Sequence, residues 1–332
     1  MVSFKLSDSF LLKIINRTIT SFIVLFFLIS VIFFLTRIMP GDPFQQYYSP
    51  QLGFELAEKM KEQFGFNEPI SIQYFKWLKN FFSGDFGYSS FFKRPVKELI
   101  KESLPITLSI SFSAFIIQII VTIPLSLFML KHANKKIDLF IDKFALVVYS
   151  APAFLIASLL IYIFSIVLQI FPSSQLISTE FNVLSFQEKV IDVIKHIILP
   201  ISTLAITSIA FSIRYLRENL IKVSHEPFIK SLRALGINET KIRIKHILPN
   251  ALIPYITILG LEFGSLLSRT LIIESIFSIP GIGFLTVNSI FTRDYPLILS
   301  TTILSGIMII LGNLLADMVI AKINPQISDE QI

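Results

Sequence analysis

Long apolar runs alternate with shorter polar stretches along the whole chain. Six runs consist mainly of hydrophobic residues over about 20 or more positions, at residues 19–38, 104–130, 144–171, 197–215, 251–277 and 297–320. A helix rises about 1.5 Å per residue, so each run can cross a hydrocarbon core of about 30 Å. The pattern predicts an all-α polytopic membrane protein with six transmembrane helices and both termini on the same side.

The polar stretches divide the chain into an ordered series of regions. Residues 1–18 form an N-terminal tail, and the first span, 19–38, is predicted to stay uncleaved because no small-residue cleavage site follows it. Residues 39–103 are mixed in polarity and form the one sizeable segment outside the membrane. A five-helix membrane domain then occupies 104–320, and a polar tail, 321–332, ends the chain.

A basic, polar segment at residues 224–250 separates two of the apolar runs and contains the signals of a helical hairpin. Pro227 suits the first turn of a helix, where its missing N–H costs nothing. One face of this short helix carries apolar residues at i, i+4 and i+7, namely Phe228, Leu232 and Leu235.

Gly236 stands where a helix needs a left-handed residue to stop, and Asn238 is a good N-cap for a second helix. Ile237 and Ile242 flank that cap at the positions of a hydrophobic staple. The sequence thus predicts a helix-Gly-helix hairpin. Its exposed apolar residues have no domain of their own to bury them, which indicates docking into another protein.

The distribution of Lys and Arg predicts the orientation of the spans. Residues 131–143 contain four and residues 214–246 contain eight, whereas 172–196 contain two and 278–296 only one. By the positive-inside rule, both termini and the hairpin lie in the cytoplasm. The segment 39–103 lies outside, since loops longer than about 60 residues translocate largely regardless of charge.

Composition excludes several classes of function. Hydrophobic residues make up 53% of the chain and charged residues 16%, and the mean hydropathy is +0.71. A net charge of +6 gives little support to nucleic-acid binding. Without cysteine the chain has no thiolate metal site or cysteine nucleophile, and its four histidines lack metal-ligand spacing. None of the 12 glycines is followed by Lys, so there is no Walker phosphate loop and no cofactor or nucleotide is expected on this chain.

Three charged residues interrupt the fifth apolar run: Glu262, Arg269 and Glu274. A charge at mid-bilayer costs at least about 2.5 to 3.5 kcal/mol, so such residues face a bundle interior or an aqueous cavity. One interpretation is that they line the solute pathway. The other is a structural ion pair between Glu262 and Arg269, two helical turns apart, with Glu274 as an anchor at the outer interface.

Three prolines lie in or at the edges of the runs, at Pro124, Pro152 and Pro200. They fit hinges for alternating access, and they equally fit ordinary kinks, because proline is common in transmembrane helices.

The hairpin resembles the cytoplasmic loop of the permease subunits of ABC importers of the dipeptide, oligopeptide and nickel class. That loop reads Glu-Ala-Ala, three residues, Gly, nine residues, Ile-x-Leu-Pro. Here Gly236 is followed after eleven residues by Leu248 and Pro249. Lys230-Ser231-Leu232 occupies the Glu-Ala-Ala positions, closer to the peptide-permease version, and His246 replaces the usual Ile.

The resemblance extends in register over most of the chain. Further stretches similar to family motifs are Met39-Pro40-Gly41-Asp42-Pro43, Gln73 to Trp77, Gly84 to Gly87, Arg94 to Val96, Asn250 to Pro254, Glu274 to Gly283 and Arg293 to Pro296. Pro-Gly-Asp-Pro and the large outer segment indicate the B-type subunit.

The resemblance implies a type I ABC importer permease fold and a set of partners in the inner (cytoplasmic) membrane of a prokaryote. A second, C-type permease pairs with this chain, two ATPase subunits bind ATP and Mg²⁺, and an extracytoplasmic binding protein delivers the solute. The hairpin is then the coupling helix. The residues that the resemblance assigns to it are Pro227, Phe228, Lys230, Ser231, Leu232, Arg233, Ala234, Leu235, Gly236, Leu248 and Pro249.

The expected cargo is peptides, with nickel, metallophores, glutathione and oligosaccharides as alternatives carried by similar permeases. An ion-coupled secondary transporter is the first rival, but it predicts related half-repeats, which the sequence does not show. A membrane-embedded enzyme is the second. It needs His, Asp or Glu clustered on the spans, whereas the charges here are scattered.

Overall fold

The computed structural model describes residues 8–38 and 68–323, and this part of the chain is almost entirely helical. The Pro-Gly-Asp-Pro motif at residues 40–43 lies outside the described residues. The described residues contain twelve α-helices, numbered α1 to α12 in chain order: Asp8–Ile38, Ile70–Phe82, Val96–Lys131, Lys136–Ser150, Ala153–Leu160, Phe186–Ser224, Pro227–Ala234, Glu239–Ile242, Leu248–Gly264, Leu266–Ile276, Ile282–Phe291 and Tyr295–Ile323.

Shorter elements complete the described fold. Strands β1 (Tyr88–Ser89) and β2 (Arg94–Pro95) form a small antiparallel pair. A 3₁₀ turn spans Phe181–Val183, and π-helical turns follow α5 and α8 at Ile161–Val167 and Arg243–Ile247.

Within the described residues, five helical stretches are long and apolar enough to cross a membrane, and a bent helix pair makes a sixth span if its two helices are taken together. The five are Thr18–Arg37, Val96–Lys131, Phe186–Ser224, Glu239–Phe263 and Tyr295–Leu315. The predicted all-α membrane architecture is confirmed.

The third predicted span, 144–171, is not one continuous helix. α4 and the stretch Ala153–Val167 meet at an angle of 105°. The cause is Pro152, which disfavours helical backbone in the residue before it. Ala151 accordingly has φ −80° and ψ 137°, an extended conformation. Pro152 therefore breaks a span here, a stronger effect than a kink.

The fifth predicted run, 251–277, is also divided. α9 ends at Gly264, and α10 begins after Ser265, whose φ of −94° and ψ of 2° depart from helical values. The membrane-crossing helix of this region starts earlier than expected, at Glu239, inside the hairpin.

Two other helices begin well before their apolar runs. α3 starts at Val96 rather than 104, and α6 starts at Phe186 rather than 197. At the start of α6 a capping box holds the first turn, because Ser185 N and Oγ donate to Glu188 Oε2 at 2.9 and 2.7 Å. Polar first turns thus extend both helices beyond the apolar region.

α3 and α6 pack along each other at the centre of the bundle. Their shared core is formed by small and branched residues, and α5 and α10 complete it with Ala157, Ile273 and Phe277. α12 packs between α9 and α1. The elements around this core position the hairpin at one end of the bundle, which we call the hairpin end.

The β1–β2 pair is fastened to α12 at the opposite end. Asp294, fully buried before the first turn of α12, accepts hydrogen bonds from Ser89 Oγ and from Phe91 N at 3.2 Å. Its Oδ1 also accepts from Leu297 N at 3.4 Å. Burial raises the pKa of Asp294 above its usual value, and these donors oppose that rise. The Arg-Asp-Tyr-Pro motif therefore joins the β1–β2 segment to the last span.

Candidate functional site

The hairpin at residues 224–250 folds as its local sequence predicts. Pro227 occupies the first turn of α7, and Gly236 adopts a left-handed φ of +75°. Asn238 caps α8, since its Oδ1 accepts from Thr240 N at 2.8 Å. The predicted turn chemistry of Gly236 and Asn238 is confirmed.

The hairpin buries one face against the rest of the chain. Ile229, Ile242 and Ile247 are fully buried and pack with Leu216 and Leu220 of α6. α6 therefore buries one apolar face of the hairpin, contrary to the expectation that nothing in the chain buries its apolar residues.

Leu232 belongs to that buried side. It packs partly buried against the same core cluster, and so does Leu248 at the start of α9. The predicted apolar face of Phe228, Leu232 and Leu235 is therefore divided, because Leu232 points into the bundle while Phe228 and Leu235 are 44% and 76% exposed.

The other predicted coupling residues surround this exposed pair. Lys230, Ser231, Arg233, Ala234, Gly236 and Pro249 are all exposed. Arg233 also holds the hairpin closed, because its Nε donates to Glu239 Oε1 at 2.7 Å and its Nη1 to the Ser224 carbonyl at 3.3 Å. The two helices of the hairpin are thus linked to each other and to the end of α6.

The second helix of the hairpin continues into a span. α8, the π-turn at Arg243–Ile247 and α9 form one membrane-length stretch, Glu239–Phe263. Pro249 lies two residues after the π-turn and lacks the N–H that would bond to the Lys245 carbonyl in a regular helix. A force on the hairpin is therefore applied directly to the helix that carries Glu262.

Glu262 and Arg269 lie in a polar network where four helices meet. Arg269 Nη2 is 3.3 Å from Glu262 Oε1, and Arg269 Nη1 donates to Ser208 Oγ at 2.9 Å. Gln118 Nε2 donates to Glu262 Oε2 and to Ser212 Oγ, the latter at 2.7 Å. The two predicted residues are brought together as an ion pair that also joins α3, α6, α9 and α10.

The two members of this pair differ in exposure. The Glu262 side chain is 6% exposed and the Arg269 side chain 41%. A half-exposed guanidinium within a membrane span is costly in lipid, so we expect it to face water or another subunit. Glu262 is accordingly an anchor for Arg269, and only Arg269 reaches the surface of the chain.

Glu274 does not join this network. It is buried, and its Oε2 accepts from Gly283 N at 2.7 Å and Phe284 N at 3.3 Å, at the start of α11. A Cβ on Gly281 would collide with the Glu274 carboxylate, which explains the glycine there. The Glu274 carboxylate therefore caps a helix inside the protein, and its place in the pathway or at the outer interface stays a prediction.

Several residues of these sites were not found from the sequence. Asp138 is fully buried and accepts two hydrogen bonds from Arg217, at 2.6 Å each, and a third from Asn134 N at 2.9 Å. Arg214 and Asp142 pair beside them at 3.0 Å. These arginines contribute to the positive charge at the hairpin end, but their partners lie more than 70 residues away, as Gln118 does from Glu262, and no local spacing indicates such pairs.

Comparison with known proteins gives matches along both halves of the chain. Residues 119–329 match the family described as the binding-protein-dependent transport system inner membrane component, and residues 10–111 match the N-terminal part of such membrane components.

Full-length relatives have been given several transport names. The oligopeptide permease protein AppB of Bacillus subtilis is 36% identical over 95% of this chain and 98% of its own. The glutathione permease protein GsiC of Escherichia coli is 31% identical over 96% and 99%. The nickel permease protein NikB of Staphylococcus aureus is 30% identical over 96% and 92%.

A solved structure supports the fold independently. A chain of the MetNI methionine ABC transporter in an inward-facing conformation aligns with a TM-score of 0.55 at 14% identity, over 68% of this chain and 96% of that one. The chain belongs to the family of binding-protein-dependent transport system inner membrane components and is a permease subunit of an ABC importer.

Proposed function

We propose that this chain translocates peptides, delivered by an extracytoplasmic binding protein, and couples to ATPase subunits through the hairpin at residues 224–250. The observation that carries the proposal is the hairpin itself. It presents Phe228 and Leu235 outward, and its second helix is continuous with a span. The hairpin thus provides the docking surface and also transmits movement to the span that continues from it.

The hairpin end and both termini lie in the cytoplasm in this proposal. The excess of Lys and Arg in residues 131–143 and 214–246 supports that orientation. The Asp138–Arg217 pair joins the first turn of α4 to the last third of α6, so the two basic segments lie at the same end of the bundle.

The chain is a non-catalytic subunit in this proposal. ATP and Mg²⁺ are bound by two partner ATPases, and a second permease, of the C type, completes the pathway. Closure of the ATPase pair brings the hairpins together and opens the permeases outward, a shift between two rigid-body arrangements. The absence of a phosphate loop from the sequence supports this division of labour.

The relative AppB is named as an oligopeptide transport permease, and its sequence aligns over nearly the whole chain. This supports peptides as the cargo. Glutathione and nickel are the alternatives that other relatives' names support. The cargo is identified by purifying the cognate binding protein and determining its ligand by mass spectrometry. A ligand other than a peptide overturns the peptide assignment and leaves the coupling proposal intact.

Leu235→Asp tests the docking surface. We expect the ATPase subunits to co-purify with this permease at least about tenfold less, because an unpaired carboxylate is placed in an apolar contact worth about 2 kcal/mol or more. The chain itself should remain folded, since Leu235 is 76% exposed.

Val183→Asp is the matched control for Leu235→Asp. Val183 is 85% exposed in the loop at the end opposite the hairpin, so the same loss of an exposed aliphatic side chain should leave ATPase binding unchanged. Equal recovery of ATPase subunits with Leu235→Asp and with the unchanged chain would show that the hairpin does not dock as proposed.

Arg269→Cys tests whether this residue faces the pathway. The chain has no native cysteine, so a cysteine at 269 should react with a water-soluble thiol reagent in at least one nucleotide state of the complex. Glu262→Cys is the control and should stay unreactive, because Glu262 is buried behind the arginine. If Arg269→Cys fails to react in every state, the network is structural only.

A further inference from the structure

The amphipathic helix α2 packs one face against the first span. Tyr74 and Ser30 share a hydrogen bond of 2.6 Å between their hydroxyl groups. The Trp77 ring lies 5.3 Å from that of Phe33 between centroids. These aromatic residues hold α2 alongside α1.

These contacts place α2 level with the apolar part of the span. The apolar stretch of α1 is Thr18–Arg37, and Ser30 precedes Arg37 by seven residues. At the helical rise this separation is about 10 Å. The packed face of α2 therefore contacts α1 within its apolar stretch, at a level that lies inside the membrane.

The remaining surface of α2 is divided between apolar and polar sides. Phe75 and Phe82 are 69% and 78% exposed, and they project only about 20° apart around the helix. Lys76 and Asn80 are also exposed but project about 100° and about 140° away from Phe75. The two exposed phenylalanines thus form an apolar stripe, which the exposed Lys79 borders about 40° from Phe75.

The apolar stripe is continuous with the exposed surface of α1. Phe34 is 40% exposed on α1, and its ring stacks on Tyr74 at 5.4 Å. Tyr74 in turn meets Phe75 edge-on at 5.8 Å. A single aromatic surface therefore runs from the span to the free face of α2.

We propose that α2 lies along the bilayer surface at the end opposite the hairpin, with Phe75 and Phe82 inserted among the lipid acyl chains. The partner is lipid because the stripe continues the apolar surface of a span. In addition, Lys76 and Lys79 stand beside it, where they reach phosphate headgroups, although Lys76 also pairs with Glu68 at 2.7 Å. Tyr74 and Trp77 lie on the opposite side of α2, where they pack against α1.

The position of α2 also determines where the segment that follows it lies. Phe81 packs on Phe86 at 5.3 Å between ring centroids, just ahead of the β1–β2 pair that Asp294 fastens to α12. A lipid-seated α2 therefore anchors the part of the outer segment that contacts the last span.

Spin labels on single cysteines test this position in the whole transporter reconstituted into liposomes. Phe75→Cys and Phe82→Cys place labels on the apolar stripe, while Lys76→Cys and Asn80→Cys are matched controls on the same helix. Collision rates with oxygen, which concentrates in lipid, and with a water-soluble nickel chelate are measured for each. The unsubstituted complex gives the background from cysteines of other subunits.

We expect oxygen to dominate at positions 75 and 82 and the nickel chelate to dominate at 76 and 80. Access of the nickel chelate at all four positions overturns the proposal, because α2 then stands in water. Low access of both reagents at 75 and 82 overturns it too, because a protein subunit then covers the stripe.

A second measurement needs no substitution on the stripe. Trp77 is the only tryptophan of the chain, so the emission lost in a Trp77→Phe complex reports its surroundings. Brominated lipids should quench that difference signal by at least about half of the quenching seen for a tryptophan placed in the α1 apolar stretch. An unquenched signal overturns the proposal.

Discussion

Gly236→Glu is expected to abolish solute-stimulated ATP hydrolysis and uptake, while the permease itself still folds. Gly236 has a φ of +75°, a conformation that costs an L residue about 1 to 2 kcal/mol. That penalty corresponds to a shift of about five- to thirtyfold in the population of the hairpin geometry. The carboxylate also adds charge beside Leu235, on the proposed docking surface.

The rest of the chain should tolerate this change. A Cβ at Gly236 meets no atom within 4 Å, so the substitution acts through the backbone conformation and the docking surface and causes no clash within the fold. Gly236→Asn is the matched control, because Asn tolerates the left-handed region and carries no charge. Uptake should rank wild type, then Asn, then Ala, then Glu. Full stimulation of ATP hydrolysis by the Glu variant would remove the coupling role of the hairpin.

The turn of the hairpin was predictable because short-range chemistry determines it. Pro227, Gly236 and Asn238 each act through their own backbone or a neighbour within two residues. Apolar run length likewise gave the number of spans, since crossing a bilayer requires a minimum length of helix.

The face that the hairpin buries was not predictable in the same way. Ile229 is fully buried, while Phe228 beside it is exposed, and the choice between them is made by Leu216 and Leu220 on α6. Hydrophobic spacing alone therefore favoured Phe228, Leu232 and Leu235, of which only two face outward.

The charges of the fifth run show the same limit. The cost of burying a charge correctly indicated that Glu262, Arg269 and Glu274 have special surroundings. What surrounds them is contributed by distant segments: Gln118 lies 144 residues from Glu262, and Glu274 meets backbone N–H groups only after the chain has turned at Pro280. Sequence identified the residues that need partners, and packing decided which partners they have.

The close approach of Glu274 to Gly281 leads to the second large effect. Glu274→Ala is expected to lower the thermal stability of the complex, because the buried Gly283 N–H loses its acceptor, at about 1 to 3 kcal/mol. Gly281→Ala alone should cost about as much, since its Cβ would overlap a carboxylate held in place by two N–H groups.

The two substitutions together should be far from additive. Once the Glu274 carboxylate is gone, an alanine at 281 has room, so Gly281→Ala should add almost nothing to the loss in the Glu274→Ala background. Gly283→Ala is the control. Its Cβ would also lie 2.6 Å from the Leu271 Cα, a backbone atom, so it should destabilise the protein in both backgrounds. Denaturation midpoints of the four combinations with Gly281 measure the interaction. Additive shifts would mean that Glu274 does not lie against Gly281, and that its carboxylate is free for a role elsewhere.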